Sequence, residues 1–180
     1  MRLKRELATA LCGLAALAGC AREEQPSQPP TLPRVQNRAP ALSRAVGAAS
    51  YVAIAASIDL LVIRSSELAL QRSSSQRVRA LASTLIADHK GAAAQLSFAG
   101  RRLNLLPRAT LLPRHEAMLA RLSAARDFDS GYRQEQLQVQ REALSLNTSY
   151  AASGSSPTLR PVAAAAVPML QRHLRLIGNL

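Results

Sequence analysis

One periodic stripe constrains the fold more than any other feature. After Val78, residues Leu81, Leu85, His89, Ala92, Leu96, Ala99 and Leu103 follow in steps of three and four. An α-helix turns once every 3.6 residues, so these side chains share one face, apolar except for a single imidazole. Such a face must be buried against other helices, and three further segments can cover it. Residues Ala45 to Arg72 carry Tyr51, Ile54, Ile58, Leu61 and Leu68 at the same spacings. Phe128 to Ser153 carries Tyr132, Gln136, Val139, Gln140, Ala143, Leu146 and Tyr150, and Thr158 to Ile177 carries Leu159, Val162, Ala166, Met169, Leu170, His173 and Ile177. No alternating run of β-branched residues is long enough for a sheet. The predicted class is all-α.

The connections suggest a topology. SSSQ at 73–76 joins the first two helices tightly. GSSP at 154–157 offers a C-terminal Gly, an N-cap Ser and a Pro at the first helical position for the last two. Short links make antiparallel neighbours, so two helical hairpins are expected. Between them lie Asn104 to Asp127, with Pro107, Pro113 and a short helix expected from Arg114 to Ser123. Extended chain covers up to about 3.3 Å per residue, whereas a 27-residue helix is only about 40 Å long. The segment can therefore run the length of the bundle as a long crossover, which is the ferritin-like four-helix arrangement. Pro168 is expected to kink the last helix or interrupt its first half.

The N-terminus reads differently from the rest. In MRLKRELATALCGLAALAGC, Arg2, Lys4 and Arg5 precede an apolar run from Leu7 to Ala18, too short to span a bilayer core that needs about 20 residues. It ends in Leu17-Ala18-Gly19-Cys20, a bacterial lipobox in which Cys20 is the lipidated residue; the alternative is an ordinary signal peptide cut near Ala18 or Gly19. Residues 1–19 are thus read as a signal peptide and 20–43 as a lipidated Cys with a Pro-rich tether. The helical domain is expected from 44 to 180. Cys12 lies inside the signal, so Cys20 would be the sole remaining thiol, and no internal disulfide could form. Ala21 after the cysteine favours the periplasmic face of the outer membrane, by resemblance to Gram-negative lipoproteins; the inner membrane and the free periplasm are the alternatives.

Three segments carry a family resemblance: YVAIAASIDLLVIRSSELALQRSSSQRVRALASTLIADHKGAAAQL, FDSGYRQEQLQVQREAL and SGSSPTLRPVAAAAVPMLQRHL. Together they resemble an uncharacterised family of exported bacterial proteins with a ferritin-like helical domain, often labelled predicted outer-membrane proteins or a domain of unknown function. The Asp-His pair of the second helix and the final Leu-x-x-His-Leu are the most specific part. The resemblance implies a fold and an export route rather than a reaction. It also implies a Glu near the middle of the first helix and a His in the third, at positions corresponding to Arg64 (or Val62) and Gln140.

A ferritin-like di-iron centre uses Glu-x-x-His motifs, but Ile86 stands three before His89 and Leu170 three before His173. Glu67 lies on the flank of its stripe. Asp88 points about 100° away from its neighbour His89 on a helix, so the two cannot easily share a metal. The inward candidates are His89, His173 and Gln140, read as a hydrogen-bonded polar layer of the core, with a mononuclear zinc or copper site as the alternative. No metal and no cofactor are expected. His115, beside Glu116, is read as a solvated side chain, and Asp127 and Asp129 as helix-capping acids.

The charge is strongly basic. Removing Arg2, Lys4, Arg5 and Glu6 from the formal +12 leaves +10, and Lys90 is then the only lysine. The arginines are scattered, with Arg101 and Arg102 the only adjacent pair, and no basic run is interleaved with aromatics. Nucleic acid is not expected as a partner. Arg101 and Arg102 remain candidate contacts to an anionic saccharide or lipid. With no glycine-rich phosphate loop, no Cys-x-x-Cys and no nucleophile elbow, the chain reads as a non-catalytic envelope lipoprotein, a binding or stress-associated structural module. It is held at the membrane by its lipid anchor and is available to an envelope protein or anionic polymer. The rival readings are a metal-binding protein and a basic module for envelope saccharide or anionic lipid.

Overall fold

A computed structural model describes residues 46–180. The expected signal peptide, the expected lipidated Cys20 with its tether, and the start of the expected domain lie outside them. Among the described residues there are five helices and no strand: α1 (Ala48–Arg72), α2 (Gln76–Arg101), α3 (Pro113–Ser123), α4 (Phe128–Ser153) and α5 (Arg160–Gly178).

The helices end where the sequence has reason to end them. Ser75 caps α2 by accepting from the Val78 N–H, and Asp127 caps α4 by accepting from the Ser130 N–H, with Asp129 in the first turn. At the other end of α2 the Gly100 carbonyl accepts from both Leu103 and Leu105. Only a glycine fits there, since a Cβ would lie 2.3 Å from the Leu105 oxygen. Asn104 then takes a left-handed φ of 56°, a conformation asparagine tolerates better than most residues. The α-helix of α5 starts at Arg160 rather than Thr158. Pro157 belongs to a turn in which the Ser156 carbonyl accepts from Leu159 and Arg160, and Pro161 occupies the first helical turn. Helix α5 runs through Pro168 as one element. Pro168 and Ala164 are both exposed, so the carbonyl deprived of its donor faces water instead of the core.

Four long helices pack around a common core, α1 against α2 and α4, and α5 against α4 and α2. Tyr51 near the start of α1 meets Asn147 and Tyr150 near the end of α4, while Ser66 meets Tyr132 near its start. Helices α1 and α4 are therefore antiparallel, and α2 and α4 run the same way. Residues 102–127 must then return along the length of the molecule. Helix α3 makes the return against α1 and α4. Its path is fastened at both ends to α1. The Ser57 hydroxyl accepts from the Leu112 N–H at 2.8 Å, and the Arg72 guanidinium donates to the Ser123 and Ala125 carbonyls at 2.7 and 2.9 Å.

The main apolar core joins Ile58, Leu61, Val62, Leu81, Leu85, Val139, Leu170 and Ile177, drawn from all four long helices. A second cluster, around Tyr51, Leu96, Tyr150 and Leu159, closes the end where α1 begins. Helix α1 is apolar and long enough to cross a membrane by composition, yet 56% of its most apolar window is buried against its neighbours. It is the central core helix.

Candidate metal centre

The stripes of α2, α4 and α5 bring His89, Gln140 and His173 together, all buried. The Gln140 amide nitrogen lies 3.0 Å from His89 Nε2, and its oxygen lies 3.3 Å from His173 Nδ1. The imidazole centroids are 5.3 Å apart. Each ring is backed on its far side by a carboxylate: Asp59 of α1 accepts from His89 Nδ1 at 2.8 Å, and Asp88 of α2 accepts from His173 Nε2 at 2.9 Å. Arg172 donates to the same Asp88 oxygen at 2.5 Å. A continuous chain, Asp59–His89–Gln140–His173–Asp88, thus links four helices.

The α1 positions that the resemblance matches to a carboxylate, Arg64 or Val62, do not reach this layer, and neither does the flanking Glu67. Arg64 is exposed, Val62 lies in the apolar core, and Glu67 faces solvent beside Lys90. Asp59 takes the place instead, one turn earlier. Its signal in the sequence is that it is the only acid inside the apolar run YVAIAASIDLLVI. Asp88 points away from His89, as helix geometry requires, and thereby reaches His173 on α5. Two histidines counted without carboxylates become two carboxylate-backed histidines.

Burial sets the electrostatics. It pulls His173 down to about 4, only partly offset by Asp88. It raises Asp59, again offset in part by its histidine. For Asp88 burial acts the same way, but the hydrogen bonds from His173 and Arg172 outweigh it and hold the carboxyl below its ordinary value. A cavity of about 370 Å³ opens beside the chain between α2 and α5, walled by Asp59, His89, Asp88, Arg172 and Met169. Among the described residues no three His, Cys, Asp or Glu side chains converge as a metal-binding group.

The reading of His115 as solvated is overturned, because the ring is fully buried. The Ser57 hydroxyl donates to its Nδ1 at 2.6 Å, and its Nε2 donates to Glu142 at 3.4 Å. Both ring nitrogens are satisfied in the neutral form, and burial holds its pKa below the ordinary value against the pull of Glu142. Sequence position beside Glu116 concealed this, since the crossover path that buries the ring is a tertiary fact.

A second polar cluster joins α1 to α4. Gln136 donates to Ser65 at 2.8 Å, and Ser66 pairs with the Tyr132 hydroxyl at 2.8 Å. Beside them Glu135 is buried, and that burial pushes its carboxyl up to about 7 despite Arg121 and Ser65. Arg101 and Arg102 are exposed at the end of α2, and Arg102 flanks an apolar groove formed with Phe98, Pro161 and Val162.

The family described as "Domain of unknown function (DUF4142)" matches residues 32–180. The chain belongs to the DUF4142 family. No curated protein is similar to it in sequence. Among solved structures, CopM in the Cu(II)-bound form is similar, with a TM-score of 0.64 over 75% of this chain and 95% of that chain. At 14% identity this likeness is one of fold. The polar chain described above is therefore read from the residues of this DUF4142 protein alone.

Proposed function

We propose that this DUF4142 protein is a non-catalytic binding module of the bacterial cell envelope, and that its ligand is a metal cation taken up at His89 and His173. Its frame is read as ferritin-like: two helical hairpins joined by a crossover that travels the length of the bundle. The observation that carries the reading is the pair of carboxylate-backed imidazoles whose remaining nitrogens face one amide. Metal-binding histidines characteristically donate their second ring N–H to a carboxylate, which fixes the tautomer and raises the basicity of the free nitrogen. A buried histidine needs a partner at each ring nitrogen in any case; what sets these two apart from His115 is that their inner nitrogens share one amide. The fold likeness to a structure described as Cu(II)-bound supports the same reading. Envelope location rests on the signal at 1–19 and on Cys20.

The test is metal content and affinity of the chain purified without a polyhistidine tag, beside His89→Ala and His173→Ala. One metal per chain, lost in both variants, is expected. Absence of metal, with each variant only melting earlier, would refute the proposal and leave a hydrogen-bonded core.

The exposed apolar residues favour a second reading. Phe98 and Leu106 are 62% and 64% exposed, and both lie near Arg101 and Arg102 in the chain. An aromatic flanked by arginines suits an anionic bilayer surface. Cosedimentation with vesicles containing anionic lipid should weaken with salt and with R101A/R102A; insensitivity to both would remove this reading.

A further inference from the structure

Charge is unevenly distributed along the bundle. Residues 46–58, 89–115 and 143–180 contain no Asp or Glu. Within them fall the first part of α1, the last part of α2, the end of α4 and the start of α5, which meet around Val46, Leu96, Leu103, Tyr150 and Leu159. That end of the described bundle therefore carries cations alone. Arg101, Arg102 and Arg160 are exposed there. Among the described residues none of the three pairs with an acid, whereas Arg114 and Arg172, further along, are held by Glu142 and Asp88.

The same end carries the two most exposed large apolar side chains among the described residues, Phe98 and Leu106. The Gly100 carbonyl accepts from the Leu105 N–H at 2.9 Å, which folds the chain back and keeps Leu106 beside the end of α2. Phe98 and Arg102 form one side of an apolar groove, and Pro161 and Val162, next to Arg160, form the other. Three unpaired cations around two exposed apolar side chains match a surface that is anionic outside and apolar beneath, which is an anionic bilayer. A soluble polyanion would engage the arginines and leave Phe98 and Leu106 in water. A second copy would set arginines against arginines, which repel. The chain also enters the bundle here, since Val46 packs on the same cluster, so a lipid on Cys20 would tie this end to the membrane.

We infer that this DUF4142 protein stands end-on on an anionic bilayer, with Arg101, Arg102 and Arg160 at the phosphates and Phe98 and Leu106 in the interface beneath them. The inference rests on the bilayer reading above and adds the contact face and the orientation. At 1.5 Å per residue of α2, His89 lies about 14 Å further from the bilayer than Phe98. The cavity beside it, between α2 and α5, stays open to water. Ser74, in the link between α1 and α2, is exposed at the far end.

The test uses tryptophan fluorescence, because the chain has no tryptophan of its own. The full chain carrying Phe98→Trp, Leu106→Trp or Ser74→Trp is mixed with vesicles of phosphatidylglycerol, or of phosphatidylcholine, whose acyl chains are brominated. The N-terminal segment can hold the full chain on either vesicle, so the reporter reads contact of this face rather than capture. On phosphatidylglycerol the Phe98→Trp and Leu106→Trp emission should shift to the blue and be quenched, and Ser74→Trp should stay as in water. On phosphatidylcholine all three should stay as in water. Each arginine strengthens contact with an anionic surface about fivefold, so Arg101→Ala, Arg102→Ala and Arg160→Ala together should weaken it on the order of 100-fold and abolish the quenching. All three side chains are exposed and unpaired, so that variant should melt with the parent. Quenching of Ser74→Trp as strong as that of Phe98→Trp would overturn the orientation. Salt-sensitive cosedimentation with anionic vesicles while Phe98→Trp and Leu106→Trp stay unquenched would overturn the contact face and leave the bilayer reading standing. Unquenched reporters together with cosedimentation insensitive to salt and to R101A/R102A would overturn both. Retention on dextran sulfate that the triple variant loses, with both reporters unquenched on vesicles, would overturn the bilayer in favour of a soluble polyanion.

Discussion

Glu135 makes the pH dependence of folding calculable. The residue is 8% exposed, and burial raises its carboxyl from an ordinary 4.5 to about 7, with Arg121 and Ser65 offsetting only part. A folded-state pKa above the unfolded value means that the protonated form is favoured on folding. The stability it contributes is complete below pH 4.5 and is lost as pH rises through 7. At 1.36 kcal/mol per unit, the ionised side chain costs about 3 kcal/mol at pH 8. His173 works in the opposite sense, since its folded value of about 4 lies below its ordinary 6.5. Its contribution is present above pH 6.5 and lost as pH falls toward 4. The two trends largely cancel between about pH 4.5 and 6.5. The variant Glu135→Gln removes one of them and cannot ionise. Urea unfolding of parent and variant at steps from pH 4.5 to 8 isolates the effect, because every other titrating group cancels in the difference. The variant should gain about 3 kcal/mol relative to the parent across that range, whatever constant cost its amide brings. A difference that stays flat with pH would show that Glu135 is ionised in water-like surroundings, and would refute the burial argument.

Other expectations concern the frame. Ser57→Ala leaves the Leu112 N–H and His115 Nδ1 without partners at once, at a cost of about 1–3 kcal/mol, and hydrogen exchange of the Leu112 amide should accelerate. Unchanged exchange would mean that the crossover is held by other contacts. Leu61→Ala empties a fully buried site in the main core and should cost about 2–5 kcal/mol in denaturant unfolding; a loss under about 1 would indicate a site that collapses readily. Arg72→Ala removes the guanidinium that donates to the Ser123 and Ala125 carbonyls, so limited proteolysis should cut residues 123–127 sooner. Equal cleavage rates would count against its role as a fastening.

The helices were legible because burial of one face imposes a period that any reader of the chain can count. The stripe containing His89 placed α2 to within two residues, and α4 matched at both ends. The same stripes showed that His89, Gln140 and His173 point inward, since an inward position follows from its neighbours three and four residues away. Asp59 and Asp88 were harder to read, for a shared reason: each lies one residue off its own stripe, at the border where a side chain reaches sideways to the next helix. Which helix stands there depends on the order of packing around the core, and no local spacing carries that order. His115 was misread for the same cause.

By itself, then, the sequence determined an all-α domain of long amphipathic helices, a basic charge, and three polar groups on buried faces. Those are consequences of local periodicity and composition. Only the tertiary structure decided that α5 lies beside α2 so that Asp88 reaches His173, and that α1 turns Asp59 toward His89. It also decided that one amide must serve two imidazoles, which turns a polar layer into a candidate site for a cation. The partners of a buried polar group cannot be known until every neighbouring helix is in place.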